Sequence, residues 1–477
     1  MDLLQVKGNQ IIDGSGRPVR LRGVNIGGWM NMENFINGYT GAEHTFRAVM
    51  AQTIGPDRAE FFFDRMLDYF FAEDDISFLK SLGVNVVRLP LNYRHFENDT
   101  RPFEYLKKGF ERLDKVIQWC KKYGMYAILD LHSVQGCQNS DWHSDNANRQ
   151  VSFWQHPHFQ DRCVSLWEEL SRRYKDNQTV AGYNVINEPM CNLPDGRYNM
   201  SYSPNWELFN QVYRRVVSAI RKIDQKHIIY LEGDYYSMRF DGLETPFADN
   251  LVYSSHNYVE ALQFSNSYPG INSGEFWDYE RQKRVFMQAE GTQFCQKYNV
   301  PLWIGEFGPV FMGKEQDLPN RCRALDDQID IIENFGGHWT TWTYKDIGVM
   351  SWVYLHPESE YLQAISHFIK HKEDLGTVFW FSGLPMTPAR QLIKDLAGYV
   401  EETLSDLEIN PKENLIFMQQ AVSSNFIGQL MLPEYAQVFK NMTETEIDRI
   451  LQSFALKYCL KNKGLVDVVS KHMANQA

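Results

Sequence analysis

Short runs rich in β-branched and aromatic residues recur along the chain. Each is followed by a longer stretch with apolar residues at three- and four-residue spacing. Eight runs read as strands: VRLRGVNIG (19–27), VNVVRLPLN (84–92), YAILDLH (126–132), VAGYNVINEP (180–189), HIIYLEGD (227–234), LVYSSHNY (251–258), PLWIGEFG (301–308) and HWTTWTYKD (338–346). Between them, AEDDISFLKSLG (72–83) carries acids in its first turn and Gly83 at its end, as a capped helix does. LKKGFERLDKVIQWCKKYG (106–124) sets Phe110, Leu113, Ile117 and Cys120 on one face, and residues 157–175, 205–224, 278–298 and 320–335 behave similarly. Strands alternating with helices predict an α/β protein, a closed (β/α)8 TIM barrel over residues 1–400. A doubly wound sheet is the alternative, but no G-x-G-x-x-G follows the first strand.

Ahead of the barrel, VKGNQIIDGSGRPVRL reads as a β-hairpin turning at Asp13-Gly14-Ser15-Gly16 and capping the barrel bottom. From about residue 400 the texture changes, and 401–477 reads as a helical C-terminal extension without candidate chemistry, a structural appendage. Residues 235–250, 259–277 and 347–385 form long connections, a length usually tied to function in a compact domain.

Composition narrows the partners. The chain of 477 residues is 43% hydrophobic and 14% aromatic, enough for a large core. A formal net charge of -12 argues against nucleic acid or an anionic membrane and suits a neutral substrate. Seven cysteines without C-x-x-C or zinc-type spacing read as free thiols of a reducing compartment. With no leader-like start and no apolar run of membrane length, the expected location is cytoplasmic.

The strand runs end in polar residues that a buried strand would not choose. Arg88 ends one, Asp130 and His132 the next, then Asn187 with Glu188, His256 with Tyr258, Glu306, and Trp342. In a barrel these gather at the C-terminal face, where such folds keep their active sites. Two carboxylates on opposite walls, Glu188 and Glu306, suggest glycosidic bond cleavage, which needs a proton donor and a second carboxylate across the sugar. Asn187 could donate its amide to a sugar 2-hydroxyl. Glu232 also ends a strand and reads as a structural acid. Asp130-Leu131-His132 could be half of a metal site, but partner histidines are missing. SDWHSDNANR (140–149) and FWQHPHF (153–159) suit further sugar subsites, a structural ion or plain loop packing.

NVINEPM (184–190) followed by PLWIGEFGPV (301–310) resembles glycoside hydrolase family 5, in the clan of retaining (β/α)8 glycosidases. The resemblance covers roughly residues 4–400 and extends through NVVRLPL, ILDLHSVQG, SSHNY and HWTTWTYKD in order. LRGVNIGGWMNMENF is similar to the exo-β-1,3-glucanase branch, in which an acid after GGW touches the terminal sugar; Glu33 matches it. The resemblance implies Glu188 as acid/base, Glu306 as nucleophile, and Glu33, Arg88, His132, Asn187, His256, Tyr258 and Trp342 around the sugar, with no metal and no cofactor. It implies a retaining, double-displacement enzyme on β-linked oligosaccharides, exo-acting on β-glucosides or β-mannosides. An endo-acting glucanase or mannanase, a catalytically silent carbohydrate-binding barrel and a metal-dependent barrel hydrolase are the alternatives. Physically, Arg88 beside Glu306 would keep it ionised and Tyr258 would orient it, while Glu188 should carry a raised pKa so that it starts protonated.

Overall fold

Eight parallel strands close on themselves in chain order: β1 (Arg22–Asn25), β2 (Val86–Asn92), β3 (Tyr126–Ser133), β4 (Val180–Asn184), β5 (Ile228–Glu232), β6 (Leu251–Asn257), β7 (Leu302–Phe307) and β8 (His338–Thr341), which pairs with β1. This computed structural model describes residues 1–191, 203–259, 267–272, 274–308, 318–377 and 386–474. The arrangement is a (β/α)8 barrel; seven of the eight predicted runs contain their strand, and β3 runs one residue past its predicted end, to Ser133.

The flanking helices follow the periodicity. Lys107–Tyr123 buries Phe110, Leu113, Val116, Ile117 and Cys120 and stops at Gly124, whose φ of 64° suits glycine. Each large side chain so buried stabilises by about 1.5–3 kcal/mol. The predicted helix 278–298 is two helices, Tyr279–Gln288 and Glu290–Tyr298, broken where Ala289 turns extended. Two further helices, Glu43–Ile54 and Pro56–Phe70, stand between β1 and β2 ahead of Glu73–Ser81.

Three boundaries differ from expectation. The N-terminal hairpin pairs Gln5–Lys7 with Gln10–Ile12, so its turn lies at Gly8-Asn9; Asp13–Gly16 makes a second turn in which Asp13 accepts from the N–H of Gly16. Leu4 and Ile11 still cap the barrel bottom, packed with Val86, Ile128, Ile228 and Val252. Strand β4 stops at Asn184, ahead of Asn187 and Glu188. Strand β8 stops at Thr341, and Lys345–Asp346 instead joins a small sheet with Val353–Leu355 and Cys459–Lys461.

That small sheet ties the C-terminal segment to the barrel. Tyr435, Phe439, Ile447, Leu451, Phe454 and Val469 belong to the same hydrophobic core as Phe46, Phe62 and Phe70. Among the described residues no helix is long and apolar enough to cross a membrane, and all seven cysteines are free.

Candidate active site

The C-terminal mouth of the barrel is organised around Arg88, which is fully buried on β2. Its guanidinium donates from Nε to Asn184 Oδ1 (3.0 Å), from Nη1 to Asn25 Oδ1 (3.0 Å) and Glu306 Oε1 (2.6 Å), and from Nη2 to Asn187 Oδ1 (2.7 Å) and Glu232 Oε1 (3.1 Å). Asp130 lies 3.2 Å from Nη2. A planar fork with five donors can serve so many acceptors at once, which an ammonium cannot.

Beyond β4 only isolated backbone bonds to the neighbouring strands remain, from the Val185 N–H to the Tyr230 carbonyl (3.3 Å) and from the Asn187 N–H to the Leu131 carbonyl (3.2 Å), and side chains hold much of the rest. Gln138 Nε2 donates to the carbonyl of Asn187 (2.9 Å) and Asn139 Nδ2 to that of Glu188 (3.0 Å), while the Glu188 N–H donates to Glu232 Oε2 (2.8 Å). Glu188 has φ 44°, a left-handed conformation uncommon outside glycine, and such strain collects at functional sites. Pro189 has no N–H to satisfy, which suits a segment leaving the sheet. Glu232, read from sequence as a structural acid, holds both Arg88 and the Glu188 backbone, and it accepts from Ser237 Oγ as well.

This geometry brings the two predicted acids together. Ligand-type atoms of Glu188, His256 and Glu306 all lie within 4.8 Å of one another. His256 sits opposite Glu306 in the β6–β7 register, just after a bulge at Ser255. Its Nδ1 lies 2.6 Å from Glu188 Oε1 and 3.6 Å from Glu306 Oε2. Tyr258 Oη donates to Glu306 Oε2 at 3.0 Å. His143, from the 140–149 loop, places Nε2 3.1 Å from Glu188 Oε2.

These contacts reverse one expectation. Burial alone would raise the Glu188 pKa, but His256 and His143 beside it hold the carboxyl well below its usual range. Reciprocally, the surrounding carboxylates push His256 well above its ordinary value, and Glu188 pushes His143 up to about 9 against the opposing cost of burial. Around Glu188 in the free site the protons therefore rest on the imidazoles of His256 and His143.

The other wall is formed by Glu33, His132 and Trp342. His132 Nδ1 lies 2.7 Å from Asp130 Oδ2, and its Nε2 faces Asn187 Nδ2 (3.3 Å) and Glu33 Oε1 (3.7 Å). Burial lowers the His132 pKa to about 3 and raises that of Glu33 to about 8, so both are neutral in the resting site. The Trp342 indole stacks on His132 with centroids 5.4 Å apart and planes 13° from parallel. A Cβ on Gly27 would come within 2.6 Å of that indole, so glycine there is what lets it lie flat against β1's end.

All nine residues singled out from sequence thus meet in one contact network. His143, Gln138 and Asn139 were missed as direct partners of 187–188. Their signal was a polar run directly after a strand end at the catalytic face, but burial of such a loop leaves no periodic mark. Glu188, His256 and Glu306 are the groups that could hold a cation in the cleft. The guanidinium of Arg88, 2.6 Å from Glu306, already fills the place of positive charge there.

Residues 60–348 match the cellulase model of glycosyl hydrolase family 5. The chain is similar to a beta-xylosidase of Phanerodontia chrysosporium, 36% identical over 98% of each chain. It is 27% identical to cellodextrinase A of Ruminococcus flavefaciens over 62% of this chain and 78% of that one. Among solved structures, an endogalactoceramidase shares the fold with a TM-score of 0.51 at 20% identity, over 72% of this chain and 75% of that one.

Proposed function

This chain belongs to glycosyl hydrolase family 5, and from that premise we propose that it is a retaining exo-β-glycosidase acting by double displacement. The observation that carries the reading is the approach of the Glu188 and Glu306 carboxylates to within 4.8 Å. Retaining glycosidases hold their carboxyl groups about 5–5.5 Å apart, whereas inverting ones leave about 6.5–9.5 Å for a water.

Glu306, held by Arg88 and Tyr258, attacks the anomeric carbon while Glu188 gives a proton to the departing oxygen. Substrate entry supplies that proton. As the sugar expels water, a neutral imidazole–carboxylic acid pair becomes favoured over the ion pair, and the proton on His143 passes to Glu188. Glu188, again a carboxylate after the transfer, takes a proton from water, whose oxygen displaces Glu306 and frees the sugar. Asn187, with Oδ1 occupied by Arg88, offers its amide hydrogens to the 2-hydroxyl; Trp342 supplies the ring's floor, and Glu33 with neutral His132 closes the end of the cleft.

The substrate class is a short β-linked oligosaccharide or β-glycoside with a terminal xylosyl, glucosyl or mannosyl unit. The full-length similarity to a beta-xylosidase adds xylose to the glucose and mannose suggested by sequence. Loops 259–277 and 347–385, expected to wall off the cleft, lie in part (260–266, 273 and 378–385) outside the described residues. The test is proton NMR of the first product released from the best 4-nitrophenyl β-glycoside of a xyloside, glucoside and mannoside panel. The β-anomer is expected first; the α-anomer first would overturn the reading.

A further inference from the structure

The geometry points to a divalent transition-metal site at His367, His371 and Glu434, on the outer surface and away from the catalytic network. His367 and His371 are one helical turn apart on Ser366–Asp374, so both imidazoles project from one face. Glu434 comes from the helix Gly428–Val438 of the C-terminal segment. Glu434 Oε1 lies 3.2 Å from His367 Nδ1 and 2.9 Å from His371 Nδ1, and the two rings are 4.3 Å apart.

Those separations match a metal's needs. With zinc–nitrogen and zinc–oxygen bonds of about 2.0–2.2 Å, tetrahedral ligands stand about 3.3–3.6 Å apart. Movements of a few tenths of an ångström would seat an ion. Two neutral imidazoles and a carboxylate suit zinc, nickel or copper rather than magnesium or calcium, which prefer oxygen ligands. The plain alternative is a pair of histidine–carboxylate hydrogen bonds. In that reading His367 Nδ1 pairs with Oε1 (3.2 Å) and His371 Nδ1 with Oε2 (3.1 Å). With side chains 77%, 41% and 35% exposed, such pairs contribute at most about 1 kcal/mol, little to hold both rings 4.3 Å apart around one carboxylate. Among the described residues, only this cluster and the one in the cleft bring three ligand-type side chains so close.

Position gives the site a structural role. It joins two helices distant in sequence. On Ser366–Asp374, buried Lys372 donates to the carbonyls of Asn34 (3.3 Å), Gly38 (3.3 Å) and Tyr39 (2.7 Å), the backbone just after Glu33. An ion at His367, His371 and Glu434 would fasten that helix to the C-terminal segment, with water filling its remaining positions.

The experiment is calorimetric titration of the untagged, chelator-stripped full chain with zinc chloride, alongside thermal unfolding. One equivalent should bind, with a Tm that rises with zinc concentration, and magnesium chloride should do neither. His371→Ala and Glu434→Gln should each weaken zinc binding at least tenfold while leaving the metal-free Tm and basal activity unchanged. Glu306→Gln, altering the cleft cluster, should bind zinc as the parent does. Absence of binding by the parent chain, equal binding by both surface variants, or loss only in Glu306→Gln would overturn the site.

Discussion

The imidazole Nε2 of His143 lies 3.1 Å from Oε2 of Glu188. The contact makes the Glu188 carboxyl, the proposed acid/base, one member of a proton-sharing unit, and neither group titrates alone. His143 is pushed up to about 9, so the shared proton persists until about that pH. The alkaline limb of kcat/KM should therefore fall near pH 9, and His143→Ala should move it at least one unit lower. An unmoved limb contradicts the proton-store role. The pairing also stabilises the fold: its contribution is complete below the ordinary histidine pKa of 6.5 and is lost as pH rises through about 9.

Arg88 compensates several buried acids at once. Arg88→Met should take the guanidinium from Glu232 and Glu306, leaving the two buried carboxylates to share His256, 3.6 Å from each, and cost about 3–5 kcal/mol of stability. Arg88→Lys should recover only part, because three donors replace a five-donor fork. Urea unfolding followed by fluorescence measures both; an unchanged midpoint for Arg88→Met contradicts the assignment of Arg88 as the site's organising cation.

Tyr435 in the C-terminal segment packs against Phe46 (5.1 Å) and Phe368 (5.3 Å) and meets Tyr361 hydroxyl to hydroxyl at 2.6 Å. Beside it, Asn425 Nδ2 donates to the Asn146 carbonyl and Gln429 Nε2 to that of Ala147, within the loop that carries His143. Tyr435→Ala should cost about 3–5 kcal/mol, read as one lowered cooperative transition in calorimetry. A separate transition for the C-terminal part, with the main one unmoved, would show that the segment does not share the barrel's core.

The barrel was legible because a short apolar, β-branched run recurs eight times, and most of these runs close on a polar residue. The pairing of Glu188 with Glu306 was legible for the same reason: both acids interrupt such a run at its C-terminal end. The N-terminal turn was misplaced because Asp13-Gly14-Ser15-Gly16 and Gly8-Asn9 both suit turns, and only strand pairing chooses between them. The depressed pKa of Glu188 was hidden because one of its two cations, His143, comes from an aperiodic loop. Likewise, 401–477 looked like an appendage, since long-range packing such as Tyr435 on Phe46 leaves no local pattern.

Covalent trapping tests the central claim most directly. A 2,4-dinitrophenyl 2-deoxy-2-fluoro-β-glycoside of the preferred sugar should inactivate the enzyme by one equivalent and leave the fluorosugar bonded to Glu306, as mapped by peptide mass spectrometry. A label on Glu232 or Glu188 instead, or turnover by Glu306→Gly at the parent rate, would contradict it.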